Sequence, residues 1–341
     1  MKKNFSDAPL NDAFPNYQRH LPAFHTVLGA SAERVISAMD EAGDDIPYQT
    51  PAIKLSLPRV GLNRQHVPVR IADPFGSGTT VQLSCDVQLR TFVPDDKRGI
   101  HTSRIGQTLT QCVQRSYSNL QEFAATLAQE IHRVEYGKLS EVQVAGVLAY
   151  TEAVPGWNSE KDKTSLEHLG MHARVLVEDK RQVEHAGITF NHITACPCVQ
   201  QTYKHALQEA KGDVGAALDT VAPLLTHSQR CQTRIEIKNL EGPLPTAAIL
   251  ETLDQLVYRV QNTLPREYEL LLVYRAHQAP QFIEDAVRQI LGGLYRLLGA
   301  SMPASAVQLH SVSMESIHDY DIVAEIELPF EEIGKALTEP A

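Results

Sequence analysis

No stretch of this 341-residue chain approaches the roughly 20 consecutive apolar residues that a membrane-spanning helix needs. Lys2 and Lys3 are followed by no apolar run, so a signal peptide is not expected and the cytoplasm is the expected location. Excess positive charge is missing too: 31 Lys and Arg against 41 Asp and Glu leave a formal charge of −10. That excludes a general binder of nucleic-acid phosphates, which would carry a basic stripe, but leaves room for a local basic pocket. Cysteine is scarce, five in all and irregularly spaced, so no disulfide framework is expected in a reducing compartment. A bridge between Cys196 and Cys198 would close a small, strained ring through Pro197.

What is present is an ordinary globular composition, 43% hydrophobic, in a chain long enough for two domains or two modules. Residues 1–45 read as an N-terminal arm with a short helix near 31–42. Residues 67–73 and 79–93 alternate apolar and polar side chains around the turn "DPFGSG", the pattern of an antiparallel hairpin with one buried face. Helical spacing follows over 103–116 and 118–134, then strands over 141–151 and 171–178. A looser second round gives a strand at 185–194, a helix from Cys198, and a strand at 231–240. Helices are expected at 246–262 and 280–299, and two closing strands near 306–328. "YELLLVYR" (268–275) is apolar throughout and fits either a strand or a buried helix. Segregated hairpins and helix pairs predict an α+β fold of two modules, 46–180 and 181–335, with helices covering one face of antiparallel sheets.

Two stretches carry candidate chemistry. In "TACPC" and "THSQR", Cys196, Cys198 and His227 offer thiolate and imidazole, and "MESIH" adds Glu315 and His318. Such a set suits zinc or a similar divalent ion, which lowers the pKa of a bound water. With fourteen histidines in the chain accidental Cys/His pairs are common, and by spacing alone packed cysteines with surface or hydrogen-bonded histidines are the plainer reading. "DDKRGIHTSRIG" gathers Lys97, Arg98, His101 and Arg104 at a helix start, which suits an anion. The plainer reading is a polar connection capped by Thr102 or Ser103.

Taken in order, "RGIHTSR", "LGMHARVLVE", "TACPC", "THSQR", "APQFIEDAVR" and "MESIH" resemble the prokaryotic type IB GTP cyclohydrolases, from about residue 50 to 328. The resemblance implies a tunnelling fold: two sheet-plus-helices modules per chain, with sheets joined into barrels between the subunits of a homotetramer. It also implies hydrolysis of GTP to 7,8-dihydroneopterin triphosphate and formate, the first step of folate and pterin synthesis; an archaeal branch makes a cyclic phosphate. One divalent metal per subunit (zinc, manganese or iron) is implied, with Cys196, His227, Glu315 and His318 at it. Cys198 joins Cys196 and His227 as a catalytic candidate, and His101, Arg104 and Arg230 are implied to line the substrate pocket.

The chain also departs from the pattern. Aligned without gaps, Tyr274 falls where the family's guanine-anchoring glutamate belongs, Arg259 where a metal-proximal glutamate belongs, and Tyr320 where a second histidine is usual. A phenol cannot accept two hydrogen bonds as a carboxylate does. Either a register shift brings Glu267 or Glu269 into the anchoring place, or Tyr274 lines a rebuilt pocket. The alternatives are therefore a paralogue acting on another purine or pterin-like substrate, and a non-catalytic assembly or binding subunit.

Overall fold

A computed structural model describes residues 45–154, 163–214, 217 and 221–338. The expected N-terminal arm, with its helix near 31–42, lies outside the described residues except for Asp45. The chain divides into two units, Met1–Leu55 with Asp95–Gly99, and Ser56–Pro94 with Ile100–Ala341. In the first, the Arg98 and Gly99 N–H groups donate to the Pro47 carbonyl at 2.9 and 3.3 Å. There Lys97 pairs with Asp96 and lies over the Tyr48 ring.

The second unit is built on a ten-stranded mixed sheet. Its strands are β1 (Leu57–Ala72), β2 (Thr80–Val93), β3 (Ser116–Tyr117), β4 (Leu139–Val154), β5 (Lys163–Glu178), β6 (Arg181–Ala195), β7 (Ser228–Lys238), β8 (Tyr258–Arg259), β9 (Ala306–Met314) and β10 (Asp321–Pro329). They lie in the order β10-β9-β7-β6-β5-β4-β2-β1-β3, with β8 beside β6; β1 and β3 are parallel, and the other pairs are antiparallel. The expected module boundary at 180/181 falls in the turn between β5 and β6, which pair directly.

Alternation dictates which face is covered. Val142, Val144, Val175, Ile188, Ile235 and Leu309 share one face and are buried. Helices α1 (Thr102–Val113) and α2 (Leu120–Val134) pack at one half of the sheet. At the other half are α4 (Thr246–Leu256), α6 (Ile283–Leu294) and α7 (Phe330–Thr338). In α2, Leu120, Phe123, Ala124, Leu127 and Ile131 form the buried stripe, and Asn119 caps the first turn by accepting from the Glu122 N–H at 2.9 Å. The opposite sheet face is polar. There Glu141 is held by Arg174 at 2.6 Å and Arg59 at 3.4 Å, and Glu236 by Arg234 at 3.1 Å. The His172 ring shares this face, over Gly187, where an added Cβ would stand 1.8 Å from the Ile235 carbonyl.

Several boundaries differ from expectation. His101, not Thr102 or Ser103, is the residue before α1, and no side chain caps that end. The helix expected over 246–262 stops at Leu256, where the chain turns into β8. That expected over 280–299 is α6 continued by a π turn, Tyr295–Gly299. "YELLLVYR" is part of helix α5 (Arg266–Gln278), but α5 is no buried helix, since only Ala276 is buried on it. Helix α3 (Pro197–Lys211) begins directly behind Cys196. No described helix is long and apolar enough to cross a membrane.

Candidate functional site

Strand register gathers three of the expected ligands. Cys196 follows the last residue of β6, His227 precedes the first of β7, and Glu315 follows the last of β9. Ala195 pairs with Ser228, which continues to a row of Cys196 opposite His227, and Arg230 pairs with Met314, which continues to Glu315 opposite Gln229, two residues inward of His227. Side chains alternate along a strand, so parity puts all three on the helix-covered face, in line with Ile188, Ile235 and Leu309. Two bonds tie the row: the Cys196 N–H donates to the His227 carbonyl at 3.0 Å, and the Thr226 hydroxyl to the Cys196 carbonyl at 2.6 Å.

Glu315 approaches His227 diagonally from the neighbouring row. The Glu315 side chain is 3% exposed and that of His227 11%, with Glu315 Oε2 4.0 Å from Nδ1. Gln229 Oε1 stands 3.1 Å from the same Nδ1, and the Ser313 hydroxyl donates to Glu315 Oε1 at 2.8 Å. The His318 ring lies edge-on to His227 at 6.1 Å and stacks on Tyr320 at 5.0 Å. Cys196 is half-buried at the N-terminus of α3, an end that attracts negative charge. Cys198, in the first turn of α3, is exposed. Thiol, imidazole and carboxylate are donor types that a zinc-like ion takes, and these strand ends carry one of each on one face. Among the described residues, no three His, Cys, Asp or Glu side chains stand close enough together to hold an ion.

Beneath the row the core face is polar. Cys231 lies 3.3 Å from the Thr194 hydroxyl, and burial pushes its thiol pKa up, opposed by its hydrogen bonding with Thr194 and Ser313. His192, fully buried, meets Thr233 Oγ1 at 2.8 Å, and burial lowers its pKa to about 4.

The expected substrate residues are scattered. His101 and Arg104 sit at the start of α1. The His101 N–H points to Glu135 Oε1 at 3.3 Å, and its ring Nδ1 is 3.5 Å from the same oxygen, both side chains being buried. Burial raises the Glu135 pKa, while His101 and Arg104 pull against it. Glu135 closes α2 just before β4 begins, and β4 begins where β5 ends and β6 begins. Cys196 follows the far end of β6. His101 and Arg104 therefore lie at the opposite end of the sheet from Cys196, His227 and Glu315. Arg230 is exposed and, by parity, on the opposite face of β7 from His227. Tyr274 is exposed on α5 beside Leu270 and Val273. The end of that helix is tied to the row, because His277 Nε2 is 3.2 Å from the Thr226 carbonyl and Gln200 donates to the His277 carbonyl at 2.5 Å.

Arg259 is an occupied cation. It donates to both Glu152 oxygens at 2.9 and 3.0 Å, to Asp254 at 2.7 Å and to the Tyr150 hydroxyl at 2.9 Å. It lines a cavity of about 200 Å³ with Tyr258, Tyr268 and Arg275. Nearby, Glu167 is 4% exposed and accepts from the Ser165 hydroxyl and the Asn262 N–H. Glu152 and Glu167 belong to no motif and sit in ordinary alternating strands, so sequence reasoning missed them.

A family model described as type I GTP cyclohydrolase folE2 matches residues 44–324. The chain is 26% identical over 283 residues to GTP cyclohydrolase MptA of Thermoplasma volcanium, covering 82% of this chain and 93% of that protein. It is 27% identical over 300 residues to GTP cyclohydrolase MptA of Thermoplasma acidophilum, covering 85% and 97%. Among solved structures, uricase from Arthrobacter globiformis aligns with a TM-score of 0.45 at 9% identity, covering 81% of this chain and 95% of that one. That likeness is too distant to carry an argument.

Proposed function

The chain belongs to the type I GTP cyclohydrolase family, and from that premise we propose that it converts GTP and water to 7,8-dihydroneopterin triphosphate and formate as a cytoplasmic homotetramer with one divalent metal per subunit. The observation that carries the site assignment is Cys196 opposite His227 on one face of adjoining strand ends, with Glu315 on the same face and 4.0 Å from His227. These three residues would hold the ion, with His318 beside them. Bound there, a divalent ion supplies Lewis-acid activation of water for attack at carbon 8 of the purine.

The chain's own groups do the rest. Gln229 Oε1 stands 3.1 Å from Nδ1 of His227, the same ring nitrogen that Glu315 approaches, and orients the ring. Opening the ring requires a proton at nitrogen 7 as the bond to carbon 8 breaks. The exposed Cys198 thiol and His318 imidazole are the protonatable groups offered for that step. Arg104 and His101 suit the triphosphate, Arg104 being a permanent cation.

Those two residues lie along the length of β6 from the row, 15 residues or about 50 Å of strand. A pocket that uses both sets therefore draws them from two copies. The outer edge of β10, nine residues long, pairs with no described strand, an edge that a second copy can cover. A second reading, another purine or pterin-like substrate, is favoured by one observation: Tyr274, not a carboxylate, stands exposed on the helix tied to the row.

The test is direct. Purified protein supplied with zinc, manganese or iron is incubated with GTP, and formate and fluorescent pterin (after oxidation) are measured by chromatography. Formate and a neopterin phosphate in equal amounts are expected; the retention time separates the triphosphate from a cyclic phosphate. No formate with any of the three metals would overturn the assignment.

A further inference from the structure

The covered face of β6, β7 and β9 changes character as it nears the site. Its row of Ile188, Ile235 and Leu309 is apolar and fully buried. In the rows that follow, Thr233 and Ser311 stand beside Phe190, and then come His192, Cys231 and Ser313, with Thr194 next. None of these six polar or thiol residues is more than 1% exposed. Packing alone would favour Val or Leu at such positions, because every buried hydroxyl must find a partner.

The partners run in sequence toward the site. Thr233 shares a bond with Ser311 at 2.6 Å and with His192 at 2.8 Å. Thr194 shares one with Cys231 at 3.3 Å, and Cys231 is hydrogen-bonded to Ser313. Ser313 then donates to Glu315 Oε1. One ladder thus spans from the strand that ends in Cys196 to the carboxylate at the end of β9.

We infer that Cys231 and Ser313 are positioning residues: the buried Thr194–Cys231–Ser313 ladder fixes one oxygen of Glu315 and so holds the other toward His227 and the ion. This rests on the reading that Glu315 belongs to a metal site. The Ser313 hydroxyl cannot turn away from Glu315 without leaving buried polar atoms unpaired, so the carboxylate is held before any ion arrives. Groups behind a ligand commonly change metal affinity by about 10–100-fold when removed.

Full-length protein is stripped with a chelator and titrated with Co²⁺, following the visible thiolate–cobalt bands and affinity by competition. Four variants are compared: Ser313→Ala, Cys231→Val, the conservative Cys231→Ser, and Glu315→Ala as reference. Ser313→Ala and Cys231→Val are expected to bind Co²⁺ about 10–100-fold more weakly while remaining folded by circular dichroism. Cys231→Ser, which keeps a hydrogen-bonding atom, is expected to retain the parent's affinity. If Glu315→Ala loses affinity while Ser313→Ala and Cys231→Val keep it, the ladder is structural and the inference fails alone. If Glu315→Ala itself binds Co²⁺ like the parent, the underlying site reading fails and takes the inference with it.

Discussion

His172 shows what a single buried side chain costs at this scale. It is 5% exposed on the polar face of the sheet, its Nε2 3.7 Å from Glu236. That carboxylate also accepts from Arg234, so it does little to favour an imidazolium, and burial holds the His172 pKa down to about 3. The folded pKa lies below the ordinary 6.5, so the unfolded chain takes up the proton first as pH falls. The contribution is complete above pH 6.5 and drains away as pH falls from there toward 3, reaching about 2 kcal/mol of lost stability at pH 5. Melting temperature measured from pH 7.5 to 5 should fall less steeply for His172→Gln than for the parent; parallel curves would contradict this. Residues of this kind are hard to read from sequence. Cys196, His227 and Glu315 stood out by type, but Ser313, Thr194 and Cys231 did not, because alternation alone assigns polar side chains to the solvent face, and here they face the core.

At the scale of elements the hairpins were legible because one buried face imposes a period of two, and β1–β2, β4–β5 and β9–β10 follow it. Helix α5 was not, since a run of apolar residues carries no period. Its ends were nonetheless marked: Glu267 and Glu269 lie in the first turn and Arg275 and His277 in the last, matching the helix dipole. Helix α7, absent from the sequence reading, is a short amphipathic stretch whose Phe330 and Ile333 are buried. The position of α5 sharpens the question of the missing glutamate, because Glu267 and Glu269 lie near its start, away from His277, while Tyr274 lies one turn from the contact with Thr226. Glu267→Ala and Glu269→Ala should therefore leave KM for GTP nearly unchanged, and Tyr274→Glu should lower it about tenfold by giving the guanine edge its acceptor. Loss of turnover in either alanine variant, with the fold intact by circular dichroism, would show that the glutamate near the helix start is the anchor.

For the whole molecule, the resemblance assigned Cys196 and His227 to a metal site and His101 and Arg104 to the substrate pocket, and the register sets these pairs at the two ends of one sheet. Motif order cannot show this, because it carries no information on which end of a strand a residue reaches. Under the proposed function a complete site then draws its residues from two copies, and GTP would be opened where their ends meet. The decisive measurement is formate release from GTP by coexpressed His101→Ala and His227→Ala chains, compared with each variant alone and with the parent. Each variant alone should fall at least 10²-fold. Random mixing should restore about a quarter of parental activity, since one site in four then draws both intact residues from two different chains. A parent that releases no formate, or a mixture no more active than its components, would contradict the account.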